Sequence, residues 1–151
     1  MTILDTSILV LVCVGLADRS FVQRHKNLKA YEPEDFDLLK SYIAQLEKVA
    51  VTPNIAAEAS NLLFQVSDPI RTQIMAKFRE ILTQWLEYYE PSRNAVARGE
   101  FTWMGVADCA TLSVLDGEKQ LLTADAKLHI AAANAGLKSV NFNHLREARF
   151  G

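Results

Sequence analysis

The sequence predicts an α/β protein built around a mainly parallel sheet. Short apolar runs of strand length are each followed by a carboxylate or a Thr-Pro step and then by a helical pattern. Three such β-to-α passages imply parallel strands joined by crossover helices. With 151 residues, half of them hydrophobic and 23% charged, the chain suits one packed domain over residues 1–151.

The first passage is Thr2-Ile3-Leu4-Asp5-Thr6-Ser7 followed by the apolar run from Ile8 to Ala17. Asp5 is the only charged side chain in the first seventeen residues. At the C-terminal end of a short strand it would face the crevice where open parallel sheets bind ligands. An aspartate before a helical run is equally a favoured N-cap, and position 5 alone favours the cap. The run after Ser7 is read as a buried helix; its β-branched residues leave a continued strand as the alternative.

Asp18 to Tyr31 is polar and locally basic, with Arg19, Arg24, His25, Lys26 and Lys29. It reads as a solvated loop or helix end, with a mobile lid or a backbone-binding patch as the alternative. Glu32-Pro33 opens a helix with Phe36, Leu39, Ile43 and Leu46 at helical spacing. Val49 to Thr52 forms the second strand, and Thr52-Pro53 caps a helix whose apolar face is Ile55, Ala59, Leu62, Leu63 and Val66. Glu58 borders that face, where a carboxylate is costly unless paired or coordinated.

Ser67-Asp68-Pro69 opens a long amphipathic helix with the stripe Ile70, Ile74, Phe78, Ile81, Leu82, Trp85 and Tyr89, ended by Pro91. Such a stripe is core or dimer interface rather than a cofactor site. Between Phe101 and Leu115 Asp108 is the only charge, on a helix apolar around most of its circumference from Gly105 onward. It needs a partner, a metal or a water-filled site. Gln120 to Thr123 is the next strand, with Asp125 at its end as cap or ligand. A helix from Ala126 to Ala135 is stopped by Gly136. Lys138 to Phe142 is the last strand, and the tail to Gly151 is short and polar.

Formal net charge is −2, which announces no basic field for nucleic acid, although a local patch would suffice. Cys13 and Cys109 lie in apolar runs and read as buried thiols of a reducing, cytoplasmic compartment. Ile8 to Ala17 is too short to span a bilayer and has no basic flank of a signal peptide. His25, His129 and His144 are scattered without zinc spacing, and phosphate-loop and Gly-x-Ser-x-Gly motifs are absent.

Asp5, Glu58, Asp108 and Asp125 thus share one predicament. Brought together they would repel one another unless a cation lay among them, and hard oxygen donors suit Mg²⁺ or Mn²⁺. In this order and context the chain resembles the PIN-domain nucleases, the group that includes the VapC-type toxins of toxin–antitoxin pairs. The matching pieces are Ile3-Leu4-Asp5-Thr6-Ser7, Thr52-Pro53-x₄-Glu58 with Asn61-Leu62-Leu63, Met104 to Asp108, Leu121 to Asp125, and Val140-Asn141-Phe142. The resemblance implies an α/β/α sandwich and Mg²⁺- or Mn²⁺-dependent hydrolysis of RNA phosphodiesters. It also implies that Asp5, Glu58, Asp108 and Asp125 bind or position metal, with Thr6 and Thr123 orienting acids or water. A homodimer and an antitoxin-type inhibitor are the protein partners it implies.

The chain departs from the commonest toxins in its Asp18–Glu32 connection, its long helix after Pro69, and Ala124, where many members carry a polar or acidic residue. The rival reading is a catalytically silent PIN-like module that binds RNA or protein. A third, an aspartyl-phosphate phosphotransfer enzyme, wants a second aspartate two residues after Asp5, where Ser7 stands.

Overall fold

A computed structural model describes residues 1–149. Its centre is a five-stranded, all-parallel sheet: β1 (Thr2–Leu4), β2 (Val49–Val51), β3 (Leu86–Glu87), β4 (Gln120–Thr123) and β5 (Lys138–Asn141). Their order is β3-β2-β1-β4-β5. Helices flank the sheet as the three-layer sandwich requires: α1 (Thr6–Ala17), α2 (Pro33–Ala44), α3 (Pro53–Leu63), α4 (Ile70–Gln84), α5 (Ser92–Ala95), α6 (Phe101–Met104), α7 (Val106–Val114), α8 (Ala126–Asn134) and α9 (Phe142–Ala148).

The order reverses between β1 and β4. From β1 the chain steps outward to β2 and β3; from β4 it steps the other way to β5. Right-handed crossovers in opposite directions put their helices on opposite faces. α1 packs against α2, α3 and α4, whereas α8 packs on β4 and β5. Register pairs Leu4 with Leu122, and Asp5 N–H donates to Leu122 O at 3.0 Å. The ends of β1 and β4 therefore flank the switch point, the crevice in which such sheets bind ligands.

The run after Ser7 is helical. Ile8 to Gly15 are all buried, so α1 is enclosed by its neighbours and tertiary packing overrides the strand preference of its valines. The α1–α2 approach is close: a Cβ on Gly15 would overlap the buried Phe36 ring. Thr52 caps α3 as expected, its Oγ1 accepting from Ile55 N–H at 3.1 Å.

Four expectations need correction. The long amphipathic helix stops at Gln84, and Leu86–Glu87 instead add an exposed two-residue edge strand. Tyr89 is 72% exposed and belongs to no stripe. The polar tail folds as α9, capped by Asn141 and anchored by buried Phe142. The segment after Asp18 is no mere solvated loop: a 3₁₀ helix spans Arg19–Arg24, and Val22, His25, Leu28 and Tyr31 are buried. Finally, Gly105 at φ +87° divides α6 from α7, so Asp108 stands in the first turn of α7 rather than inside an enclosed helix. No described helix is long and apolar enough to cross a membrane.

Candidate metal centre

The switch-point crevice opens into a cavity of about 440 Å³. Asp5, Glu58, Asp108 and Asp125 all line it, with Ser7, Asn27 and Tyr31 among the other lining residues. Four elements far apart in sequence converge here. Asp5 follows β1, Asp125 follows β4, Glu58 rides on α3, and Asp108 opens α7.

Asp5 is 8% exposed and makes no side-chain capping bond, which corrects the cap reading. Its Oδ2 instead accepts from the buried Thr123 hydroxyl at 2.8 Å. The same Oγ1 accepts from Asp125 N–H at 3.0 Å, so one threonine fixes both strand-end acids. Burial raises the Asp5 carboxyl; the Thr123 hydroxyl and the Thr6 amide oppose that, and the Asp125 charge adds to it. Asp125 does cap its helix: Oδ1 accepts from Lys127 and Leu128 N–H at 2.9 and 3.2 Å.

Asp108 is half-buried at the N-terminal end of α7, where the helix dipole favours negative charge. Its carboxyl is nevertheless pushed up to about 6, first by desolvation and then by the charges of Asp5, Asp125 and Glu58, against a small opposing effect of Lys127. Lys127 is itself held away, its Nζ donating to Trp103 O at 2.8 Å. Glu58 sits on the exposed side of α3, yet desolvation and the Asp5 charge raise its carboxyl too. The four acids feel one another, and no arginine or lysine forms an ion pair with any of them among the described residues.

A divalent cation fits this donor set by chemistry: Asp5, Glu58 and Asp108 are desolvated carboxylates with raised pKa values, and positive charge would stabilise their ionised forms. The fit is incomplete in geometry. Among the described residues no three His, Cys, Asp or Glu side chains stand together closely enough to hold a metal ion as placed. The acids share a cavity without converging on one point, so ligation requires their side chains to draw together.

Of the expected supporting hydroxyls, Thr123 makes the contacts above, and Thr6 lines the cavity at the start of α1. Asn27 and Tyr31 were not readable as site residues from the sequence. Tyr31 is buried beneath Arg146, whose guanidinium carbon lies 4.6 Å from the ring centroid. Burial raises its phenol, while the Arg146 charge and a hydrogen bond with Ser7 oppose that. The only sequence signal was an aromatic residue in a polar segment, which carries no information about a distant cavity.

No protein-family model matches the chain, and none of the curated proteins is similar to it.

Proposed function

We propose that the chain is a PIN-type, Mg²⁺- or Mn²⁺-dependent endoribonuclease working in the cytoplasm. The observation that carries this reading is the meeting of Asp5, Glu58, Asp108 and Asp125 on one cavity at the switch point. Those four would hold the ion, with Thr123 fixing the orientation of Asp5. Bound there, the ion would lower the pKa of water and stabilise charge on the attacking and leaving oxygens. Asp108, at the start of α7 and lining the same cavity, would help position an attacking water beside the ion. The water oxygen bonds to phosphorus, the bridging P–O bond breaks, and the leaving oxygen is protonated; no side-chain nucleophile is needed. An antitoxin-type inhibitor and a second copy of the chain are the protein partners of this reading. Exposed Leu82 and Leu86 beside half-buried Trp85 offer them an apolar face.

The test is cleavage of labelled RNA with Mn²⁺ or Mg²⁺, abolished by EDTA and by Asp108→Asn in a protein that still folds. Equal cleavage by wild type and the variant would mean a contaminating nuclease and end the proposal. The second reading, a silent PIN-like module binding RNA or protein, draws on one observation: the acids are not at ligating spacing. It predicts that Mn²⁺ leaves the unfolding midpoint unchanged.

A further inference from the structure

Four carboxylates facing one cavity repel the polyanion that the proposed reaction requires, and a net charge of −2 gives no global steering. Countercharge must therefore come from the rim. The segment from Asp18 to Tyr31 supplies it. Asp18 is its only acid, and that side chain is engaged by Ser20 N–H and Ser20 Oγ at 3.0 and 2.7 Å. Arg19 is neutralised by Asp37 at 2.6 Å. Arg24, Lys26 and Lys29 are exposed, and none forms an ion pair with a described residue.

The backbone that carries those cations is anchored. His25 and Leu28 are buried. Asn27 N–H donates to His25 Nδ1 at 3.2 Å, and Tyr31 N–H donates to Leu28 O at 2.9 Å. Asn27 Nδ2 donates to Gln65 Oε1 at 3.0 Å, which ties the segment to the end of α3 just beyond Glu58. Asn27 and Tyr31 line the cavity, so Lys26 and Lys29 stand one and two residues from its wall. Next to Gln65, Phe64 is 54% exposed, with the Arg71 guanidinium 5.3 Å from its ring centroid. Exposed cations on an anchored backbone, with an exposed ring adjoining the residue that anchors it, supply the two components of a single-strand binding surface.

We propose that residues 24–31 and Phe64 form the track that holds a single-stranded RNA across the acidic cavity. Lys26 and Lys29 contact its phosphates, and Phe64 stacks on a base. The track serves the same cavity and so rests on the ribonuclease reading, but binding and cleavage are measured apart. Fluorescence anisotropy of a labelled single-stranded RNA of about twelve nucleotides, in EDTA, follows the uncut strand.

Two lost phosphate contacts in Lys26→Gln/Lys29→Gln should flatten the slope of log K against log salt by about 1.4. The affinity gap to wild type then shrinks about sevenfold between roughly 50 and 200 mM salt. Phe64→Ala should weaken the single strand by about fivefold or more, and should leave a duplex of equal length unaffected. Lys48→Gln, at the far end of the sheet before β2, should bind as wild type. An unchanged slope in the lysine variant, or an equal loss in Lys48→Gln, overturns the track. RNA held in this way by a protein that never cuts with Mn²⁺ would overturn the nuclease reading and leave the track standing. Cleavage by a protein whose lysine variant binds as wild type would do the reverse.

Discussion

Two groups of carboxylates on this molecule meet burial in opposite ways. Asp35, in the first turn of α2, is 1% exposed and faces two arginines. Its Oδ2 accepts from Glu32 N–H at 2.8 Å and from Arg146 Nη2 at 3.1 Å. Its Oδ1 lies 3.0 Å from Arg146 Nε and 3.2 Å from Arg149 Nη2, in ion-pair contact off the hydrogen-bond angle. Asp5 and Asp108 are desolvated as well, yet their nearest charges are other carboxylates. A structural acid is met by donors; the switch-point acids are met by hydroxyls, amides and one another. That difference, more than burial, separates the candidate site from the scaffold.

The scaffold half of the contrast gives the largest effect. Asp35→Ala removes the buried carboxylate that faces Arg146 and Arg149 where α2 meets α9, and breaking such a pair costs about 3–5 kcal/mol. Chemical denaturation should show that loss, together with looser packing of α9. A loss below about 1 kcal/mol would mean the pair acts as an ordinary surface contact.

The cavity half predicts a gain on adding charge of the opposite sign. Mn²⁺ at about a hundred times its dissociation constant should stabilise wild type by about 2.7 kcal/mol. The thermal midpoint should return to its starting value in EDTA. Asp35 variants should keep this response and Asp108→Asn should lose most of it. A response of equal size in Asp108→Asn would place the ion elsewhere.

Removing charge should act in the same direction without any ion. The folded-state pKa of Asp108 is raised to about 6 from 3.8, so the metal-free fold binds more protons than the unfolded chain between those values. Its stability therefore falls as pH rises through that window, and the cost is fully present above about 6. Metal-free Asp108→Asn should be more stable than wild type at pH 7 by about 1–2 kcal/mol, after discounting for solvent screening. The gain should vanish below about pH 4. A variant less stable than wild type at pH 7 would mean that Asp108 holds the fold together.

Much of this contrast could be read in the sequence. Asp5 and Asp108 stood out because each is a lone charge in an apolar stretch, and Asp125 because it ends a strand-length run; the β1, β2, β4 and β5 positions followed from such runs. Asp35 did not stand out: its arginine partners lie 111 or more residues away in a tail that looks merely polar. β3 was hidden because Trp85 and Tyr89 continue the four-residue spacing of α4, although the helix ends at Gln84. Asn27 and Tyr31 reach the cavity only through tertiary packing. Spacing showed which acids are unusual, but not how far apart their oxygens stand.

The smallest effect divides the two roles of a single residue. Asp125 belongs to both halves of the contrast, because its Oδ1 caps α8 while its carboxyl faces the cavity. Asp125→Ala should lose the cap, at about 1 kcal/mol, and also the anionic donor. Asp125→Asn keeps a capping oxygen and removes only the charge, so it should fold with nearly wild-type stability while losing Mn²⁺ response and cleavage. Chemical denaturation separates the two variants, and a Mn²⁺ titration should fail to separate them. Should Asp125→Asn keep the full metal response, Asp125 is a cap alone and the candidate centre reduces to Asp5, Glu58 and Asp108.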